Sequence, residues 1–302
     1  MSIDQVLVAG SGAMGSQIAM VAALAGCTVT VYDVDAARVE QARQHLLERM
    51  DAQVTKGRRT REAVDAAFQR LTATTSLADA GAVDLVIEAI VERLPAKREL
   101  FAELDGLCPA RTVFASNSSS FVPSSMATAT TRADRFLNLH FFNPALVMPC
   151  VEVVRGPDTA SPVVEACLAF VERIGKTAVV LDKEIPGFVA NRLLGAVRDE
   201  ALRLLEGGYA DVEAIDTAAR TALGYPMGPF ELMDLTGIDI GYLTKTARFE
   251  VTGDAADAPS RTVSALVEQG HLGRKTGRGF YTYGPSGDRT GVTDLADLKG
   301  QH

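Results

Sequence analysis

Residues 5–33 constrain the fold more than any other stretch. Gln5–Ala9 (Gln-Val-Leu-Val-Ala) reads as a buried strand, and Gly10-Ser11-Gly12-Ala13-Met14-Gly15 follows it at once. An Ala-rich helix is predicted over Ser16–Ala25. Gly26 stops it, and Thr28–Tyr32 forms a second strand that ends at Asp33. Strand, glycine turn, helix, strand and acid in that order form the context that a bare G-x-G-x-x-G lacks. Gly10 allows the tight turn, Gly12 lets the backbone approach a pyrophosphate, and Gly15 lets helix and strand pack closely. Ala13 and Met14 open the helix, whose N-terminus offers free N–H groups and a positive dipole end to phosphates. Asp33 lies 18 residues after Gly15, where an acid would accept both ribose hydroxyls. That favours NAD over NADP, because a 2′-phosphate would meet a like charge. The plain alternative, a glycine turn in an ordinary α/β protein, does not account for the whole arrangement.

At 302 residues the chain exceeds one nucleotide-binding module and implies two domains. A hydrophobic content of 47% is ample for a core. A net charge of −8 argues against nucleic acid or an anionic membrane as partner. No apolar run reaches transmembrane length. Met1-Ser2-Ile3-Asp4 enters the first strand directly, so neither signal nor transit segment is expected. Cys27, Cys108, Cys150 and Cys167 form no C-x-x-C pair and show no metal spacing. Buried, reduced thiols, a cytoplasmic location and no metal site are therefore expected.

Beyond Asp33 a long helix is predicted from Asp35 to about Val54, then a basic turn with Lys56, Arg58, Arg59 and Arg61, then helix over Glu62–Gln69. Strand candidates follow at Leu71–Thr75, Val83–Ile90, Thr112–Ala115, Phe136–Phe142, Val151–Val154 and Thr177–Leu181, with a helix at Pro95–Leu107. This alternation argues for a largely parallel sheet. The rhythm changes at Pro186-Gly187. From there helices are predicted over Phe188–Glu206, Asp211–Leu223, Pro229–Phe249 and Ser260–Gln269, with one strand at Gly279–Tyr283. The expected class is α/β: a Rossmann-type dinucleotide-binding domain, 1–185, followed by an all-α domain, 186–302, whose polar tail 284–302 is expected to be disordered. Four or five helices over about 115 residues make a thin core, so a homodimer is expected.

Chemistry-bearing residues gather at strand ends, where an alternating α/β fold faces its ligand. Glu88 and Glu92 follow one strand, and Asn117, Ser118 and Ser119 another. His140 lies late in a third strand with Asn143 just beyond, and Glu152 sits among valines in the next. A carboxylate on an apolar face needs a partner, and His140 is the obvious one. Alcohol dehydrogenation needs a base for the hydroxyl proton. Imidazole suits that task, and a carboxylate on its other nitrogen would fix the tautomer and stabilise the imidazolium. The bland readings are a satisfied core histidine, a solvated edge-strand acid and polar turns. The cofactor fingerprint upstream weighs against all three together.

These residues match a known family. The chain resembles the L-3-hydroxyacyl-CoA dehydrogenases, including the bacterial 3-hydroxybutyryl-CoA type. The matching segments are Val8–Gly15, Val86–Glu92, Phe114–Ser120, His140–Pro144, Val151–Val153, Pro186–Arg192, Gly224–Leu232 and Gly273–Tyr281, in the family's order across nearly the whole chain. The resemblance implies His140 as base with Glu152 as its partner. It implies Ser119 and Asn191 on the substrate's 3-oxygen and thioester, and Asn143 beside the nicotinamide. Glu92, Lys97, Asn117 and Lys275 become cofactor contacts, and Lys56 a coenzyme A contact. A local basic patch suits a ligand with several phosphates, although a solvated basic loop explains the three arginines equally well. The chain departs from many relatives at Ala196 and Asp199, where they carry proline and asparagine. The resemblance implies that this helix faces the acyl group, so it does not carry over the acyl preference.

The reading that follows is NAD-dependent, reversible oxidation of an (S)-3-hydroxyacyl-CoA to the 3-oxoacyl-CoA. Hydride leaves C3 for the nicotinamide while His140 takes the hydroxyl proton. Two rivals remain: a free hydroxy-acid dehydrogenase of the L-gulonate 3-dehydrogenase or λ-crystallin type, and a dinucleotide-binding protein without turnover.

Overall fold

Val6, Leu7, Val8 and Ala9 are buried on both faces of β1 (Gln5–Ala9), as expected of a strand inside a covered parallel sheet. The computed structural model describes residues 2–295. It divides into two compact units that part between Ala190 and Asn191.

The first unit is built on one eight-stranded sheet. After β1 come α1 (Ala13–Leu24), β2 (Thr28–Tyr32), α2 (Ala36–Thr55), α3 (Arg61–Gln69), β3 (Leu71–Thr74), β4 (Leu85–Glu88), α4 (Leu94–Leu107), β5 (Val113–Ser116), α5 (Pro123–Ala127), β6 (Phe136–Phe141), β7 (Cys150–Arg155), α6 (Ser161–Arg173) and β8 (Thr177–Leu181). The strand order is β3-β2-β1-β4-β5-β6-β7-β8. The order reverses between β1 and β4, which puts the Gly10–Gly15 turn at the point where doubly wound sheets bind ligands.

The sheet is parallel from β3 to β6. β7 then runs antiparallel to β6 and parallel to β8. The sheet is thus largely parallel, as expected, with one antiparallel pair at β6/β7. Only residues 142–149 join β6 to β7, too few for a crossover, so the chain must turn back. Helix α6, absent from the sequence reading, returns the chain for β8. Its apolar stripe of Val163, Val164, Cys167, Phe170 and Val171 is buried.

The second unit holds α7 (Ala190–Glu206, whose first residue belongs to the first unit), α8 (Val212–Ala222), α9 (Pro229–Thr236), α10 (Ile238–Thr252), α11 (Arg261–Glu268), β9 (Tyr281–Tyr283) and β10 (Arg289–Val292). Two elements differ from expectation. The single helix expected over Pro229–Phe249 is broken at Gly237, whose φ of +97° lies in the region open to glycine. The tail expected to be disordered pairs antiparallel through β10 with β9. Its last residues, 296–302, lie outside the described residues.

Two buried carboxylates organise this unit. Asp216 accepts the amides of Phe230 and Glu231, at 2.9 and 3.0 Å, and the Tyr281 hydroxyl at 2.8 Å. Asp234 accepts the amides of Phe280 and Tyr281 and the Tyr283 hydroxyl, each at 2.9 Å. Both carboxyls are pushed up by burial, against the pull of these donors.

Candidate active site

The glycine turn is shaped for a phosphate-bearing ligand. A Cβ on Gly10 would lie 2.5 Å from the Ala89 carbonyl, and one on Gly15 would lie 1.9 Å from the Gly10 carbonyl. At Gly12 a Cβ would meet nothing within 4 Å, so the turn is open on that side. No side chain caps α1, which leaves the first-turn amides free for an anion. The Ser11 amide and hydroxyl both donate to Asp33 Oδ2 at 2.8 Å. Among the described residues Asp33 Oδ1 keeps only a long 3.3 Å bond from the Asp35 amide, so it remains an acceptor for ribose hydroxyls. A cavity of about 640 Å³ runs from this turn along α2, lined by Gly12, Gln17, Asp33, Arg38, His45 and Arg49 among others. These features fit a dinucleotide.

The β6/β7 register sets His140 directly opposite Glu152. His140 Nδ1 and Glu152 Oε2 are 2.8 Å apart, with 6% and 1% of the two residues exposed. β7 lies between β6 and β8, so Glu152 is an interior acid and not a solvated edge residue. Its other oxygen, Oε1, accepts the amides of Val189 and Ala190 at 3.0 and 2.8 Å.

Sequence reasoning missed these two donors. Gly187 and Phe188, with φ of +79° and +48°, turn the chain so that consecutive amides face the carboxylate. A buried Phe with positive φ is strained, and such strain persists where the surroundings over-determine it. The Pro186-Gly187 break was its only trace in the sequence. Burial pushes the Glu152 carboxyl up, but His140 and the two amides outweigh it and hold the carboxyl below its ordinary range. The ring of His140 packs against those of Phe142 and Phe188, with centroids at 4.5 and 5.5 Å. Glu152 takes Nδ1, and among the described residues Nε2 has no protein partner.

The loop after β5 comes to the same strand. Asn117 Oδ1 accepts the Phe141 amide at 2.8 Å, beside His140. Asn138, two residues before His140 and so on its face of β6, donates through Nδ2 to the carbonyls of Ser118 and Phe121 at 3.2 and 2.8 Å. Ser119 lies between those anchors, half-buried, and among the described residues its hydroxyl has no partner. Glu92 accepts the Ser118 hydroxyl at 2.5 Å and the Ser120 amide at 3.1 Å.

Lys97 is 1% exposed, with its ammonium 2.6 Å from Glu88 and 3.0 Å from Glu92. In this arrangement it clamps two carboxylates and braces the Ser118–Ser120 loop through Glu92. Burial pushes the Glu88 carboxyl up, against the opposing pull of Lys97, the Ser116 hydroxyl and the Ile90 amide.

The other expected residues are more scattered. Asn143 is exposed on the loop after β6, and Lys56 caps the C-terminus of α2 in the open. Arg58 and Arg59 are exposed too, whereas Arg61 is tied to Asp51 at 2.8 Å and lies 3.8 Å from Asp65. In the second unit Asn191 is exposed in the first turn of α7. Lys275 is paired with both oxygens of Asp239 at 2.6 and 2.7 Å. The cysteines are free thiols, and burial pushes Cys108 up to about 11 and Cys167 to about 12, which makes them inert at neutral pH. Among the described residues no helix is long and apolar enough to cross a membrane.

Residues 5–185 match the family model of the 3-hydroxyacyl-CoA dehydrogenase NAD binding domain, and residues 187–283 match that of the C-terminal domain. The chain is 39% identical over 283 residues to the probable 3-hydroxybutyryl-CoA dehydrogenase of Bacillus subtilis, covering 94% of this chain and 98% of the relative. It is 41% identical over 294 residues to the human mitochondrial hydroxyacyl-coenzyme A dehydrogenase, covering 93% and 91%. The crystal structure of (S)-3-hydroxybutyryl-CoA dehydrogenase from Ralstonia eutropha superposes with a TM-score of 0.87 at 35% identity, covering 94% of this chain and all of that one. The cofactor is NAD, as the matched NAD binding domain shows, and the uncapped glycine turn and the Asp33 acceptor fit it. With both of its domains matched and its length nearly fully covered, the chain belongs to the 3-hydroxyacyl-CoA dehydrogenase family.

Proposed function

We propose that the protein interconverts (S)-3-hydroxyacyl-CoA and 3-oxoacyl-CoA, with His140 as the base. The observation that carries this reading is the buried His140–Glu152 pair, whose Nδ1 contact leaves Nε2 as the nitrogen that can accept a proton. NAD, when bound, supplies the hydride acceptor. His140 Nε2 takes the hydroxyl proton as hydride leaves C3, and Glu152 stabilises the imidazolium. The two amides on Glu152 keep it ionised for that role. Ser119 donates to the substrate's 3-oxygen, Asn191 holds the thioester carbonyl, and Phe142 and Phe188 keep bulk water from the imidazole. Asn143 contacts the nicotinamide side, while Asn117 and Glu92 shape the cofactor's bed. Lys97 acts through Glu92, and Lys275 contributes once its pairing with Asp239 is shared with a ligand. NADH oxidation with acetoacetyl-CoA, inhibited competitively by coenzyme A, tests this reading. Oxidation of L-gulonate with no turnover of acetoacetyl-CoA would replace it with the free-acid reaction.

Cofactor choice is expected to follow Asp33. kcat/KM should favour NAD over NADP, and Asp33→Ala should weaken NAD binding by about 1.5–3 kcal/mol, the worth of a charge-assisted hydrogen bond. A wild-type preference for NADP would remove Asp33 from the ribose.

Coenzyme A recognition is assigned to Lys56 with Arg58 and Arg59. Arg61, already tied to two acids, contributes less. Lys56→Glu should raise KM for acyl-CoA, leave KM for NADH nearly unchanged, and lose its effect as ionic strength rises. An N-acetylcysteamine thioester, which lacks the phosphates, should be indifferent to the substitution. Equal slowing of both substrates would move the patch elsewhere.

We also infer a homodimer, supported by Leu223, Ile240 and Leu243 of the second unit, which are 66%, 55% and 59% exposed. Sedimentation at micromolar concentration tests it. A cytoplasmic location is supported by the free, inert thiols.

A further inference from the structure

Arg198 stands on α7 without a counter-charge. It is half-buried, its Nε is fully covered, and Nε has no hydrogen-bond partner. Among the described residues its one bond runs from Nη2 to the Thr236 hydroxyl oxygen at 3.1 Å, and that hydroxyl spends its own proton on the Leu232 carbonyl. The neighbouring Asp199 does not neutralise it, because Lys245 on α10 holds Asp199 Oδ2 at 2.7 Å. Among the described residues no carboxylate oxygen lies within 4.0 Å of its guanidinium. Lys97, Arg132 and Lys245, by contrast, each meet a carboxylate, at 2.6, 2.5 and 2.7 Å. Burial pulls the Arg198 guanidinium below its ordinary range, and the charge of Asp199 offsets this only in part. A half-buried guanidinium with no carboxylate beside it is costly unless an anion compensates its charge.

Its place on the helix says which anion. Asn191, Leu194 and Arg198 are spaced i, i+3 and i+7, one stripe of α7. Asn191 and Arg198 are thus about 10.5 Å apart along the axis, and a long helical side chain leans toward the helix N-terminus, back toward Asn191. Leu194, half-buried between them, offers apolar surface to methylenes. A ligand lying on this stripe meets an amide at one end, a hydrocarbon contact in the middle and an unpaired cation at the other end.

We propose that Arg198 binds a carboxylate at the far end of the acyl chain, so that the preferred substrates are 3-hydroxyacyl-CoA thioesters of short dicarboxylic acids. This rests on the reaction proposed above, with Asn191 at the thioester end. The guanidinium fork matches a carboxylate in shape and charge, whereas a purely hydrocarbon tail would leave the cation uncompensated against apolar matter.

The test compares NADH-dependent reduction of 3-oxoadipyl-CoA and 3-oxohexanoyl-CoA, thioesters of the same chain length, with acetoacetyl-CoA as the common reference. The wild-type protein should favour the carboxylate-tipped thioester about 10–100-fold in kcat/KM, the range for one charge-assisted contact. Arg198→Leu should lower that ratio by the same factor, and Arg198→Lys should keep part of it. No preference in the wild type, or an equal fall for both substrates in Arg198→Leu, would overturn the proposal. The second result would point to a carboxylate of a second copy on Arg198. Turnover of acetoacetyl-CoA without a carboxylate preference removes only this inference. Turnover of none of the three removes the reaction itself. The wild-type comparison needs no variant to fold.

Discussion

His140→Gln is expected to lower kcat by about 10²–10⁴-fold, the usual worth of a positioned base, while NADH binding stays near wild type. Glutamine fills similar space and can keep a hydrogen bond to Glu152, but it cannot accept the hydroxyl proton. Glu152→Gln should be impaired nearly as much, by a different route. The amide carbonyl can still accept the amides of Val189 and Ala190, which now hold Oε1. Its NH₂ group then faces His140 Nδ1 as a donor. That forces the ring into the tautomer with the proton on Nε2, the nitrogen that must be empty to act as base. Rapid-mixing kinetics with NADH titrations separate loss of chemistry from loss of cofactor, and wild-type turnover in either variant would remove that residue from the mechanism. The pair also has a pH signature. The Glu152 carboxyl is held below its ordinary range in the fold. Its stabilisation is therefore fully present above the unfolded-state value and is lost as pH falls through the lower folded-state value. Acid should weaken the fold around β6 and β7, and Glu152→Gln should flatten that dependence.

Lys97→Met is expected to destabilise the first unit by about 3–5 kcal/mol, the cost of leaving a buried charge without its partner. Glu88 is fully buried and already pushed up by its surroundings, and Lys97 opposes that push. Without the ammonium, Glu88 takes up a proton more readily. A carboxyl whose folded value is raised is most favourable below its unfolded value and loses stability as pH rises through the folded one. The deficit of Lys97→Met should accordingly shrink on acidification. Adding Glu88→Gln should recover part of it at neutral pH, because a neutral pair carries no uncompensated charge. Denaturant melts across pH read both effects. A Lys97→Met protein as stable as wild type would show that the clamp contributes nothing. Slackening through Glu92 should also loosen the Ser118–Ser120 loop and raise KM for both substrate and NADH.

What could be read from the sequence follows from where the physics is local. The β1–turn–α1–β2–Asp33 run was legible because glycine freedom, helix termini and strand patterning act between near neighbours. His140 with Glu152 was legible because a carboxylate among valines demands a partner. What was missed depends on the chain's return path. The reversal at β7 is implied only by the shortness of residues 142–149, and the break at Gly237 by one glycine inside an otherwise helical pattern. The amides of Val189 and Ala190 carry no side-chain signal at all. Lys97, a cofactor contact by resemblance, is buried between two acids once α4 packs, which no local pattern shows. Arg198 carries no signal in the sequence, because only the fold shows that Lys245 holds the neighbouring carboxylate.

The central claim is direct hydride transfer from C3 of a hydroxyacyl thioester to the nicotinamide, assisted by His140. It is tested most directly with (S)-3-hydroxybutyryl-CoA carrying deuterium at C3. After one turnover with NAD, mass spectrometry should find the label on the reduced nicotinamide and none in the 3-oxoacyl product, with the (R) isomer inert. Unlabelled NADH, or label retained on the acyl chain, would contradict the account.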